Sequence, residues 1–276
     1  MAVTDLLVII TGVIVNRIGG FYLRSSFLFH TPLCCLSNAL VYAARDCSVW
    51  LTVAFTFDRF VAICCPNLKR KYCTKDSATR VITIICSLCC LKNIPWYFVY
   101  EPLYIMNNVP WFCSIKLFFY SSPLWAAFHW IDRILTPSIP FVLILLFNSM
   151  TVGHILVASR VRRRLWVKSA VENQSDPEME NRRKSIVLLF TISGCFILLW
   201  MVYLVEFLYI RITNDYYFAG SNIDDPKFIL QESGNVLQLL SCCTNTFIYT
   251  VTQSKFREEL QNGFKILFRI LAKVVQ

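Results

Sequence analysis

The chain has 276 residues, 56% of them apolar and only 16% charged, with 22 Phe and a mean hydropathy of +0.54. One soluble core cannot use that much apolar surface, so the composition excludes an ordinary soluble domain and indicates an integral membrane protein. The net charge of +10 is concentrated in a few loops, a distribution that fits membrane topology better than a nucleic-acid surface.

The first predicted span covers residues 1–18, apolar from the first residue but carrying Asp5. It has no basic leader and no small-residue cleavage site, so it reads as a spanning helix near the lower length limit for crossing ~30 Å of hydrocarbon, not as a signal peptide. The second span covers 34–63 and ends in SVWLTVAFTFDRFVAICCP (48–66), where Asp58 and Arg59 form an acid-base pair just before Pro66. A basic loop with Lys69, Arg70, Lys71, Lys75 and Arg80 leads to the third span, 81–99. A long aromatic loop then reaches the fourth span, 131–157, which contains Pro137 and Pro140.

The stretch 160–184 is the most basic in the chain, with a polar, proline-bearing centre that reads as a flexible linker. The fifth span covers 185–210. The sixth, 229–251, is interrupted by Gln231, Glu232, Asn235, Gln238 and Asn245, so it must face a bundle interior or a water-filled cavity and not lipid. Residues 253–276 place Phe256, Leu260, Phe264 and Leu267 at the helical period of a cytosolic membrane-surface helix. Of the 27 Lys and Arg, eighteen lie in the loops at 69–80 and 160–184 and in the tail. The positive-inside rule therefore puts Asp58, Arg59 and both chain ends in the cytosol. Residues 1–252 form one transmembrane bundle in this reading. The thirteen Cys mostly sit in apolar runs without His at ligand spacing, and read as small packing residues.

These residues, in this order, resemble the rhodopsin-type (class A) G-protein-coupled receptors. Asp58-Arg59-Phe60 is similar to the Asp-Arg-Tyr motif of that family's third helix, and Asn245-Thr246-Phe247-Ile248-Tyr249 to the Asn-Pro-x-x-Tyr motif of its seventh. Val3-Thr4-Asp5-Leu6-Leu7 resembles the second helix around its buried Asp, Phe196 and Trp200 the sixth-helix aromatic pair, and Pro140 the fifth-helix proline. The nearest group suggested by the resemblance is the orphan receptors similar to probable G-protein coupled receptor 139. The resemblance implies an all-α seven-transmembrane receptor bundle of which six spans are present, the first helix being absent before Met1, plus the surface helix. Phe60, Thr246 and Val202 depart from the family pattern, and Arg182 stands where the sixth helix often has an acid that pairs with the Arg.

The resemblance further implies coupling to a heterotrimeric G protein through Asp58, Arg59, Asn245 and Tyr249, in a multi-pass protein of the plasma membrane. It places Ser48, Ser241, Asn245 and Trp200 around Asp5, where oxygen ligands suit an allosteric sodium ion, with no other cofactor; a protonated, hydrogen-bonded Asp5 is the alternative. It suggests a disulfide between Cys34 and Cys113, with Cys35 as competitor and an unpaired Cys113 as the alternative. Ionisable residues inside spans mark a site or a wet cavity, so Arg45, Asp132, Arg133, Glu206 and Asn235, with Trp200 and Tyr203 as aromatic walls, outline a ligand pocket; Asp46 and Glu232 lie at similar depth. Charges of both signs suit a small zwitterion or short peptide, and Val41 stands where amine receptors carry an Asp. Mutual Arg-Asp pairing without a ligand stays open. No nucleophile-base pair or phosphate loop stands out, so an enzyme is not expected. Two other readings remain: a truncated receptor form that does not signal, and a polytopic transporter, which predicts repeat symmetry that the sequence lacks.

Overall fold

The structure, a computed structural model, describes residues 2–22, 26–166, 177–213 and 226–252, with 257–258, 261–263, 265–266 and 269 beyond them. Helix α1 (Ala2–Val8) continues as a π-helical stretch (Ile9–Gly19) and a last turn (Gly20–Tyr22). Then come α2 (Thr31–Cys64), α3 (Pro66–Tyr72), α4 (Lys75–Phe98), α5 (Pro123–Arg133), α6 (Ile139–Trp166), α7 (Pro177–Thr213) and α8 (Pro226–Thr252). Proline opens α2, α3 and α5, where its missing N–H costs nothing. Thr74 caps α4 by accepting from the Ser77 amide, with Asp76 in the first turn.

Among the described residues, four helical stretches are long and apolar enough to cross a membrane by themselves: Thr31–Cys64, Lys75–Phe98, Pro123–Ala158 and Phe190–Tyr209. In hydrocarbon every backbone group must be satisfied within the segment, which is why long apolar runs fold as helices. The burial pattern is the reverse of a soluble protein. Leu88, Leu91, Ile94 and Leu198 are exposed, while Asp5, Arg45, Asp46, Asp132, Arg133 and Glu206 are buried. Apolar surface facing out and charge facing in is the arrangement of a helix bundle whose solvent is lipid.

Helix α2 runs through the middle and touches α1, α4, α6 and α7. Val49 and Val53 of α2, Phe141 and Ile144 of α6, and Phe196, Trp200 and Tyr203 of α7 make the largest core cluster. A second cluster joins Val8, Ala44 and Cys242 of α1, α2 and α8. Gly234 lets α8 approach α7: a Cβ there would lie 3.3 Å from the Tyr203 Cα.

The sequence reading needs correction over residues 100–130. The helix expected to start at 131 starts at Pro123, and a five-residue π stretch (Ile134–Ser138) joins α5 to α6. The bend there has a cause: Thr136 leaves helical geometry (φ −148°, ψ 109°) just before Pro137, which cannot donate to the preceding turn. Before it, β1 (Tyr100–Glu101) pairs antiparallel with β4 (Ser114–Ile115), enclosing the hairpin of β2 (Tyr104–Met106) and β3 (Val109–Trp111). Asn107 and Asn108 take the left-handed conformation that such a tight turn requires.

Phe112 is also left-handed (φ 55°), costly for a bulky residue. It is held by its amide to the Phe29 carbonyl at 2.7 Å, by Thr31 Oγ1 donating to its own carbonyl at 2.7 Å, and by stacking on Phe29. The next residue, Cys113, is disulfide-bonded to Cys34 at the start of α2, with the Cα atoms 6.0 Å apart. Cys35 is free and buried.

Candidate functional site

The charges inside the bundle fall into three groups along α2, the first two built from side chains on different helices. Nearest the disulfide end, Asp46 of α2 and Asp132 of α5 share Lys92 of α4, whose Nζ lies 2.6 Å from Asp46 and 2.7 Å from Asp132. Asn93 adds a 2.7 Å hydrogen bond to Asp46 and a second donor bond to the Cys89 carbonyl. Both carboxylates are almost wholly buried (1% and 2% of the side chain exposed), so the ammonium between them offsets a desolvation cost of several kcal/mol per ion.

Beside this triad, Tyr203 of α7 lies between two buried guanidiniums. Arg45 donates to Gln238 at 3.0 Å and to the Tyr203 hydroxyl at 3.4 Å, and stacks 4.5 Å from the Tyr42 ring centre. Arg133 lies 4.5 Å from the Tyr203 ring centre and donates its Nε–H to His129 Nε2 at 3.2 Å. Guanidinium over an aromatic face is favourable, more so when desolvated. Glu206, one turn beyond Tyr203, is buried with its carboxylate against Gly234.

Deeper in the bundle, Ser48 donates to Asp5, both buried. Trp200 donates its indole N–H to Ser241 at 3.3 Å and makes contact with Phe196 and Tyr203. The rings of Tyr203, Trp200 and Phe196 thus form a continuous line down α7.

The third group is at the far end of α2. Arg59 Nε and Asp58 lie 3.8 Å apart, with roughly a third of each side chain exposed (35% and 37%). The guanidinium also covers Phe55 at 5.0 Å. Phe57 and Phe60 pack on Phe147 of α6, and Phe57 meets Tyr72 of α3 edge-on. Burial first, and then a hydrogen bond to the Asp58 carboxylate, push the Cys73 thiol above its ordinary value, which ties Asp58 to the turn after α3.

Of the residues singled out from the sequence, the structure gathers Arg45, Asp132, Arg133, Trp200, Tyr203 and Glu206 into one region, and joins Asp5 with Ser48 and Ser241 with Trp200. It does not bring in Asn235, which makes no hydrogen bond or ion pair among the described residues, nor Glu232, which pairs instead with Arg17 at 2.6 Å. Among the described residues of this region no Arg-Asp ion pair forms; Asp46 and Asp132 pair with Lys92, Arg45 with Gln238 and aromatic rings, and Arg133 with His129 and aromatic rings. The side chains of Asn245, Tyr249 and Arg182, and most of the expected surface helix over 253–276, lie outside the described residues.

Lys92, Asn93, His129 and Gln238 were missed as site residues. A lone lysine in an apolar run was legible by the same rule that marked Asp46. His129 was hidden because residues 123–130 read as loop.

Comparison with known proteins gives a consistent result. The family model described as 7 transmembrane receptor (rhodopsin family) matches residues 1–249. Tachykinin-like peptides receptor 86C of Drosophila melanogaster is 25% identical over 224 residues, 76% of this chain and 40% of its own length. Cysteinyl leukotriene receptor 1 of Sus scrofa is 24% identical over 267 residues, 94% of this chain and 71% of its own. Probable G-protein coupled receptor 142 of Mus musculus is 25% identical over 221 residues, 80% of this chain and 52% of its own.

Proposed function

We propose a signalling role for this chain, which belongs to the rhodopsin family of seven-transmembrane receptors: it transmits binding of an extracellular ligand, a small zwitterion or peptide, across the plasma membrane to a heterotrimeric G protein. The observation that carries this reading is the unequal pairing of charge at the two ends of α2. A buried, multi-helix cluster surrounds Asp46 and Tyr203 at one end, and a half-exposed ion pair, Asp58 with Arg59, stands at the other.

The mechanism follows from that inequality. A ligand acts only through differential contact with two states of the bundle. Contacts with Arg45, Arg133 or Glu206 bear on Tyr203 and, through its ring, on Trp200 and Phe196, so α7 is the element that such a ligand biases. Arg59 is always charged and has five donors. Its pair with Asp58 is exposed enough to be worth about 1 kcal/mol or less, so a shift of α7 against α2 frees it at small cost to contact a partner's helix.

Asp5, Ser48 and Ser241 supply oxygen donors of the kind a sodium ion takes, and the motif resemblance adds Asn245. When bound, the ion would supply a positive charge beside the Asp5 carboxylate, and these residues hold it. Kinship with the receptors similar to G-protein coupled receptor 139 rests on the motif resemblance.

The test is guanine-nucleotide exchange on purified heterotrimers of each G-protein class, with the full chain in lipid nanodiscs and a panel of zwitterionic small molecules and short peptides. Ligand-dependent exchange on at least one class is the expected result. Specific ligand binding with no exchange on any class would remove the transducer role.

A further inference from the structure

The geometry points to a second binding site, separate from the charged interior: the gap between α6 and α7 takes an apolar, membrane-dissolved molecule bearing one hydroxyl group. The cavity there measures about 480 Å3, within the range of small-molecule sites, and is walled by Leu145 and Val152 of α6 and by Phe190 and Ile197 of α7. Gly153 and Gly194 contribute the room, since a Cβ built on either meets nothing within 4 Å.

Both flanking helices belong to stretches apolar enough to cross a membrane, Pro123–Ala158 and Phe190–Tyr209, so the gap opens sideways into hydrocarbon. Asn148 follows Phe147, which packs on Phe57 and Phe60 beside the Asp58–Arg59 pair, so the gap lies toward that end of the bundle. The apolar walls select an occupant that dissolves in hydrocarbon.

Two polar groups in the cavity wall specify its chemistry. Asn148 and Ser193 are 6% and 1% exposed, and neither Asn148 Oδ1 nor Ser193 Oγ has a hydrogen-bond partner among the described residues. The contrast with their neighbours is sharp. Ser149, Thr151 and Thr191, on the same two helices, each donate to the carbonyl one turn back, at 2.7–2.8 Å. Ser193 does not use that option. Orphaned groups buried like these are costly because no bulk water reaches them.

The two senses complement each other. Asn148 Oδ1 can only accept and Ser193 Oγ–H can donate, so a single hydroxyl, giving its proton to the first and accepting from the second, satisfies both. Both residues belong to the lining of the cavity. A plain alkyl chain fills the volume and leaves both unsatisfied.

The probe is a long-chain alcohol carrying a photoreactive diazirine, applied to the full chain in nanodiscs and mapped by peptide mass spectrometry. It is compared with the matching diazirine alkane that lacks the hydroxyl. Expected is saturable labelling of Leu145, Val152 or Ile197 by the alcohol, competed by the unlabelled alcohol and not by the alkane. Ser193→Ala is expected to weaken it roughly three- to tenfold, the value of one neutral hydrogen bond, and Gly153→Leu to abolish it by filling the gap. Should either variant fail to fold, competition on the unmodified chain decides. Equal labelling by alcohol and alkane, or label spread evenly over the lipid-facing helices, overturns the assignment. The readout is occupancy, so it stands or falls apart from G-protein coupling.

Discussion

The two ends of α2 handle charge in opposite ways. Around Asp46 the charges are buried and cross-linked over three helices, with Lys92 within 2.7 Å of both Asp46 and Asp132. Around Arg59 they are adjacent on one helix, 3.8 Å apart and partly exposed. Breaking the first arrangement leaves uncompensated charge in low dielectric, whereas breaking the second hands two ions to water. One end of the bundle is therefore fixed and the other free to rearrange, which is what transmission through a membrane requires of its two faces.

This contrast is sharpened first at Lys92. Lys92→Met removes the shared cation and is expected to cost about 3–5 kcal/mol, read as lost surface expression or a large drop in melting temperature of the solubilised chain. Adding Asp46→Asn and Asp132→Asn should restore most of it, because the buried charge is then gone from both sides; failure of that rescue would show that Lys92 acts through packing.

A smaller effect is expected at the hairpin that covers the disulfide end. The double change Cys34→Ser with Cys113→Ser should cost about 2–4 kcal/mol, seen as a lower melting temperature with the helices retained by circular dichroism. Smaller still is Arg17→Gln. Its pair with Glu232 is close, at 2.6 Å, but 47% of the Arg17 side chain is exposed, so a change of about 1 kcal/mol or less is expected in the same melting assay. A loss as large as that of Lys92→Met would mean that exposure does not set the strength of these pairs.

How much of this could be read from the sequence depended on the kind of signal. Long apolar runs located α2, α4, α6 and α7, because lipid allows such runs hardly any fold but a helix. Polar residues inside those runs, such as Arg45, Asp46 and Glu206, announced the site since lipid does not tolerate them unpaired. Their partners were harder to assign. Nothing in the spacing says that Asp46 meets Lys92 and not its neighbour Arg45, because that depends on how α2 and α4 are rotated against each other. The start of α5 was missed for a local reason: aromatic residues and Pro123 over 117–130 look like a loop, yet Pro123 serves as a helix N-terminus.

The most direct measurement on the whole account is nucleotide exchange catalysed on a G protein by Arg59→Ala at a surface level matched to the unmodified chain. The account predicts unchanged melting and expression, since Arg59 is partly exposed and held, among the described residues, by Asp58 and the Phe55 ring, together with loss of ligand-dependent exchange. Full exchange by a correctly folded Arg59→Ala would contradict it.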